Sequence, residues 1–295
     1  MKSLIDGAYD LHVHSAPDVL PRKMDDLEMA RRIINAGMKG YAIKSHYFVT
    51  AERAALINKL YPECDLVGTI TLNNSVGGIN PAAVEMAARA GAKLVWFPTC
   101  DGKYEQACVF DETNPGKKLP YWAQIVIQMK NDGIVSDPIS VLNEKGKLSD
   151  NTIQVLEIIK KYNMILATSH LSHEETFAVV KAARQLNIEK IVITHADFPT
   201  TFYTIEEQQE LVSMGAFIEH CYTTWATGKV QFETALEQIK AIGCEHVILS
   251  TDLGQPAAVY PDEGLLLYAN RLVEAGIPEQ EVVKTTVRNN LILLK

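Results

Sequence analysis

Apolar residues recur along the chain in two alternating rhythms. Short runs of strand-forming residues lie at 9–14 (YDLHVH), 40–46 (GYAIKSH), 66–72 (LVGTITL), 92–98 (AKLVWFP), 164–170 (MILATSH), 190–195 (KIVITH), 216–221 (AFIEHC) and 246–252 (HVILSTD). Between most of them the apolar positions repeat at helical spacing, as in MDDLEMARRIINAG, NPAAVEMAARAG, SHEETFAVVKAARQLN and TIEEQQELVSMG. Gly37, Gly91, Gly215 and Gly243 follow such stretches, where a left-handed residue commonly ends a helix.

Eight strands, each followed by a helix at a spacing of about 25–32 residues, predict an α/β protein of the (β/α)8 TIM-barrel type. A doubly wound open sheet is the competing fold, and the lack of a glycine-rich phosphate loop after the first strand counts against it. One interval, between the fourth and fifth strands, is longer at about 70 residues. It holds CDGKYEQACVFDETNPGKKLPYW and then GIVSDPISVLNEKGKLSD, which predicts an insertion over about 100–150 containing a β-hairpin that turns at NEKGK. No composition shift marks a second domain, so residues 1–295 are expected to form one barrel domain.

Strand alternation then sorts the polar residues. Side chains two apart share a face, so His12 and His14 point the same way with Asp10 behind them. In a parallel barrel the C-terminal strand ends meet around one mouth. Strand one ends in His12 and His14, strand two in Lys44 and His46, strand five in His170, strand six in His195 and strand eight in Asp252. Any one of these has an ordinary structural reading. Together, so many buried polar groups would be costly without a shared partner, and a divalent cation supplies one. On strand seven, alternation leaves open whether Glu219 or His220 faces inward. Asp18 and Arg22 lie in the loop after strand one, and Arg22, Lys44 and His46 are candidate substrate contacts. Cys100 and Cys221, near strand ends, read as buried structural thiols.

The order H-x-H, His, His, Asp on strands one, five, six and eight resembles the amidohydrolase superfamily of metal-dependent hydrolases, over nearly the whole chain. DLHVH (10–14), ATSH (167–170), VITH (192–195) and STD (250–252) carry the resemblance. HSAPDV and KSHY are similar to a branch known mostly as cytosolic hydrolases. The resemblance implies one or two divalent ions held by His12, His14, His170, His195 and Asp252. Zn²⁺ is the first choice, with Mn²⁺, Fe²⁺ or Ni²⁺ as alternatives. It also implies catalysis by Asp252, which takes a proton from the attacking water, while His195 either completes the shell of a second ion or stands beside the first as an acid/base group. The chain departs from binuclear members at the end of strand four. There a bridging carboxylated Lys or a Glu is expected, but the sequence reads Thr99, Cys100, Asp101. Lys44 is the notable lysine instead, either carboxylated or an ammonium that binds a substrate carboxylate. The polymerase and histidinol phosphatase type shares the H-x-H but closes with Asp-x-His, whereas this chain has Asp252-Leu253-Gly254. Two alternatives to hydrolysis stand: a metal-dependent non-oxidative decarboxylase on the same barrel, and a non-catalytic metal-binding barrel.

Composition narrows the partners. A net charge of -8 and a pI near 5.5 argue against nucleic acid or an anionic membrane surface and leave a small-molecule substrate, for which Arg22, Lys23 and Lys44 suit an anionic group. A homo-oligomer is compatible with the sequence. Asp6 and Asp10 interrupt the N-terminal segment, and no apolar run approaches the ~18 residues of a membrane span. The five cysteines are an odd number without a C-x-x-C pair, which suits a reducing compartment. A cytoplasmic protein is expected.

Overall fold

The computed structural model describes residues 3–111, 113 and 119–295. Each strand run of the sequence contains an observed strand. β1 (Tyr9–Val13) pairs with β2 (Gly40–Ile43), and β2 with β3 (Asp65–Val67). A second parallel series runs β4 (Thr69–Thr71), β5 (Leu94–Trp96), β6 (Ile165–Ala167), β7 (Ile191–Ile193), β8 (Phe217–Cys221) and β9 (Val247–Ser250). β3 and β4 are one stave broken at Gly68, where a Cβ would lie 2.6 Å from the Ala51 Cα. Across that break, side chains replace part of the ladder. The Thr69 and Thr71 hydroxyls donate to the Ile43 and Ser45 carbonyls at 2.7 and 2.6 Å.

The ring closes between β9 and β1 through few contacts. Asp252 N–H donates to the His12 carbonyl at 2.9 Å, and His14 N–H to the Leu253 carbonyl at 2.8 Å. Asp10 stitches the same seam, accepting from the backbone N–H and the hydroxyl of Thr251 and from the His12 N–H. Burial pushes its carboxyl up to about 7 despite those donors. Register shifts between Asp10 and Val13. Leu11 therefore packs into the barrel interior while Val13 packs outside, and the simple alternation that put Asp10 behind His12 and His14 does not hold.

Inside the barrel Leu11, Ala42, Leu94, Trp96, Ala167 and Phe217 pack together, and Leu293 of the C-terminal helix joins them. The outer layer is helical. Two of its helices begin with reciprocal Ser172–Glu175 and Thr204–Glu207 capping boxes. Gly37, Gly91 and Gly215 take positive φ just beyond helix ends.

The insertion after β5 differs from expectation. It carries two helices, Lys103–Val109 and Ala123–Asn131, and its predicted hairpin reduces to a single antiparallel bridge between Leu142 and Leu148. The NEKGK turn does form, with Asn143 N–H donating to the Lys147 carbonyl at 2.7 Å. Ser149 N–H still donates to the Val141 carbonyl, but the ladder stops there because the Val141 N–H goes to Glu175. Residues 112 and 114–118 of the first quoted stretch lie outside the described residues. Trp122 and Val109 of the insertion pack with Leu20 and Cys100, which places it at the barrel mouth.

The seam makes one test direct. Gly254, at φ +142°, lies against β1 so closely that a Cβ would sit 1.8 Å from the His14 carbonyl oxygen. Gly254→Ala is expected to lower the stability of the protein by more than ~1 kcal/mol, read as a shift in the urea midpoint at unchanged slope.

A candidate metal centre at the barrel mouth

The seam delivers three donors to one point. Asp252 Oδ1 lies 3.1 Å from His12 Nε2 and 3.1 Å from His14 Nε2. The Asp252 side chain is 15% exposed, while those of the two histidines are 0 and 3% exposed, so the carboxylate is the member that faces the open mouth. Its other oxygen accepts from the Thr223 hydroxyl at 3.1 Å. Burial alone would raise the Asp252 carboxyl, but His12 and His14 hold it well below the usual carboxylate range.

The staves bring further groups around this trio. His195 lies beside His12, the rings tilted with centroids 4.8 Å apart, and forms a second donor group with His12, Glu219 and Cys221. His170 contacts His195 ring to ring at 5.3 Å, but its Nδ1 turns to Glu105 of the insertion, 3.3 Å away. His170 thus stands outside both donor groups found among the described residues. Ser169, His195 and Asp252 all carry positive φ, near +55°, +53° and +53°. Strained backbone at three strand ends around one mouth is the mark of a built site.

On strand seven the structure decides what alternation left open. Glu219 faces inward, both carboxylate oxygens 3.2 Å from His12 Nδ1. His220 faces outward, toward Asp197 at 3.6 Å. Phe217 and Ile218 are both apolar, so no local signal separated the two faces. Cys221, read as a structural thiol, is buried with its sulfur 3.7 Å from His12 Nδ1.

Lys44 is buried over the Trp96 ring, 4.3 Å from its centroid, with Nζ 2.9 Å from His12 Nε2. Burial lowers its ammonium, and the Asp252 and Glu219 carboxylates oppose that shift. Burial and Lys44 likewise press His12 downward, yet Glu219 and Asp252 prevail and leave it raised. His46 continues the Lys44 face and stacks on His14 at 5.0 Å, with Nδ1 2.8 Å from the Thr99 hydroxyl. Thr99 stands where the bridging group of strand four was expected. Arg22 pairs with buried Asp18 at 2.6 Å, and its Nη2 lies 3.3 Å from His14 Nδ1. Burial and then Arg22 push His14 down to about 3, and burial holds His46 and His195 well below the usual histidine range.

The donor set fits a divalent ion. Two imidazoles and a carboxylate, buried and mutually close, suit Zn²⁺ and also Mn²⁺ or Fe²⁺.

The chain matches the family of unknown function DUF6282 over residues 7–219. It belongs to that family. The match covers every site residue up to Glu219 and stops before Asp252. No curated protein matches the chain. Among solved structures, an amidohydrolase from Pseudomonas aeruginosa superposes with a TM-score of 0.64 at 11% identity, covering 99% of this chain and 96% of that one. The lactonase Lmo2620 from Listeria monocytogenes gives 0.54 at 13% identity over 99% and 96% of the two chains. A metallo-dipeptidase gives 0.59 at 14% identity over 98% of each. This DUF6282 chain therefore has the barrel fold of amidohydrolase-type structures. No helix among the described residues is long and apolar enough to cross a membrane.

The geometry ranks the donors. His12→Ala and Asp252→Ala are each expected to weaken Zn²⁺ binding by more than about 100-fold, beyond the ~10–100-fold typical of a group behind the ligands. His170→Ala is expected to cost less than about tenfold. Chelator competition measures all three.

Proposed function

We propose that this protein is a divalent-metal-dependent hydrolase of the amidohydrolase type that cleaves an amide, ester, lactone or related bond of a small molecule. The observation that carries the reading is Asp252 Oδ1, shared at 3.1 Å by the Nε2 atoms of His12 and His14 at the mouth of the barrel. Supporting it are the fold likeness to an amidohydrolase, a lactonase and a metallo-dipeptidase, and the order of the motifs along the chain.

His12 Nε2, His14 Nε2 and Asp252 Oδ1 would hold the ion, Zn²⁺ in the first instance, with His195 alongside. When bound, a divalent ion supplies a water acidified from ~15.7 toward ~7 and an electrophile for the substrate carbonyl. Asp252 does the proton work. Its Oδ2 points to the Thr223 hydroxyl, which orients the carboxylate, and its partial exposure lets it meet incoming water. It takes the proton from the attacking water and delivers it to the leaving group. His195, neutral because it is buried, stands within reach as a second acid/base group. Trp96 floors the site and keeps solvent from the buried side of His12, 4.7 Å between ring centroids. Lys44, His46 and Arg22 form the substrate side of the mouth, and the Lys44 charge favours an anionic or carbonyl-bearing group. Arg22 contributes through its pair with Asp18, which anchors the first loop against Ser45 as well.

Lys44 also favours a second reading. A buried ammonium among the ligands can grip a carboxylate, as a metal-dependent decarboxylase would require. The two separate by product: hydrolysis incorporates oxygen from labelled water, whereas decarboxylation releases CO₂ without it.

Turnover on a panel of lactones, esters, amides and acylated amino acids tests the proposal. Activity is expected to vanish with chelator and return with Zn²⁺ or Mn²⁺. Asp252→Asn is expected to lower turnover by ~10²–10⁴-fold. Full turnover in the metal-free protein or in Asp252→Asn would contradict it.

A further inference from the structure

A histidine can present only one nitrogen to an ion while its other nitrogen keeps the proton, so whatever faces the second nitrogen decides which one is free. For His12 those surroundings differ between the two nitrogens. Nδ1 faces acceptors: both Glu219 oxygens at 3.2 Å and the Cys221 sulfur at 3.7 Å. Nε2 faces the Lys44 ammonium at 2.9 Å, a group that only donates. Asp252 Oδ1 lies at the same nitrogen but is also 3.1 Å from His14 Nε2. With an ion among them, Oδ1 and both Nε2 atoms would each present a lone pair to it, so Oδ1 does not draw the His12 proton to Nε2. The consistent assignment puts the His12 proton on Nδ1 and its lone pair on Nε2, toward the mouth.

Glu219 does a second thing. Its Oε2 accepts from the His195 backbone N–H at 3.4 Å, where that residue holds φ +53°. One fully buried carboxylate on β8 thus ties together two histidines from β1 and from the end of β7. Strand four, where the resemblance placed an organising lysine or glutamate, ends instead in Thr99, Cys100 and Asp101; Thr99 is engaged by His46 and Asn73, and Asp101 accepts from the Asn74 N–H.

We propose that Glu219 is the positioning residue of the metal centre: it fixes the Nδ1-protonated tautomer of His12 and the backbone of His195, so that strand seven supplies the organisation that strand four lacks. The inference rests on the proposed ion site, and it assigns Glu219 no direct bond to the ion or the substrate.

The test compares Zn²⁺ affinity, by chelator competition, in the wild-type protein, Glu219→Asp, Glu219→Gln and Glu219→Leu. Gln keeps an acceptor for Nδ1 but loses the charge, and is expected to weaken binding about tenfold, with Leu approaching about 100-fold and Asp recovering part of the loss. A lower thermal midpoint with unchanged Zn²⁺ affinity in folded variants would mean a merely structural residue and overturn the proposal. Should the variants not fold, the zinc-loaded wild type still answers, through ¹⁵N spectra of its imidazoles. A proton on His12 Nδ1 is expected, and a bare Nδ1 overturns the proposal. Cobalt reports the remaining possibility: a thiolate-to-Co²⁺ charge-transfer band that Cys221→Ser removes would put the ion on the strand-seven side, with Glu219 as a ligand, and overturn it too. If the wild type binds no Zn²⁺ at all, the ion site itself falls, a result distinct from all of these.

Discussion

The site depends on how the last stave meets the first. β9 and β1 are joined by two backbone hydrogen bonds, from Asp252 to His12 and from His14 to Leu253, and by the Asp10 carboxylate bonded to Thr251. The residues that close the barrel are the residues that carry the donors. Closure therefore sets the separation of Asp252 Oδ1 from both imidazoles, and any loosening of the seam acts on the ligands at once. Gly254, packed on the His14 carbonyl, and the left-handed backbone of Asp252 are the local terms of that coupling.

Electrostatics then decides what each group can do. The mouth gathers Asp252, Glu219 and Lys44 with four histidines in a nearly dry space, an arrangement that is expensive unless its charges compensate. His14, His46 and His195 answer by staying neutral, which leaves their lone pairs available. His12 lies between two carboxylates and is raised instead. Arg22 has its charge met by Asp18, so Lys44 is the cation whose role turns on what occupies the mouth. A divalent ion is the natural complement of two carboxylates that share one imidazole.

Much of this was legible in the residues. The strand runs and the glycine helix ends come from local pattern, and each is found in the fold; of His12, His14, His170, His195 and Asp252, singled out by their order along the chain, all but His170 fall in the donor groups at its mouth. What escaped depended on contacts between distant segments. The break at Gly68 follows from the approach of Ala51. The shift in β1 comes from the seam, since Asp10 bonds Thr251 rather than lining the face of His12. Glu219 was hidden because FIEHC offers an apolar residue to either face. The displacement of His170 from the donor groups traces to Glu105, a residue of the insertion whose position no strand pattern sets. Arg22 was read as a substrate contact from its loop alone, and its pairing with Asp18 and His14 emerges only when the loop folds back.

The central claim is that closing the barrel builds an ion site from His12, His14 and Asp252. A crystal of the Zn²⁺-loaded protein, measured on both sides of the zinc absorption edge, tests it most directly. One strong anomalous peak is expected at ~2.0–2.2 Å from His12 Nε2, His14 Nε2 and an Asp252 oxygen. A zinc-replete crystal with no peak among these three residues, or with its only peak elsewhere on the chain, would contradict it.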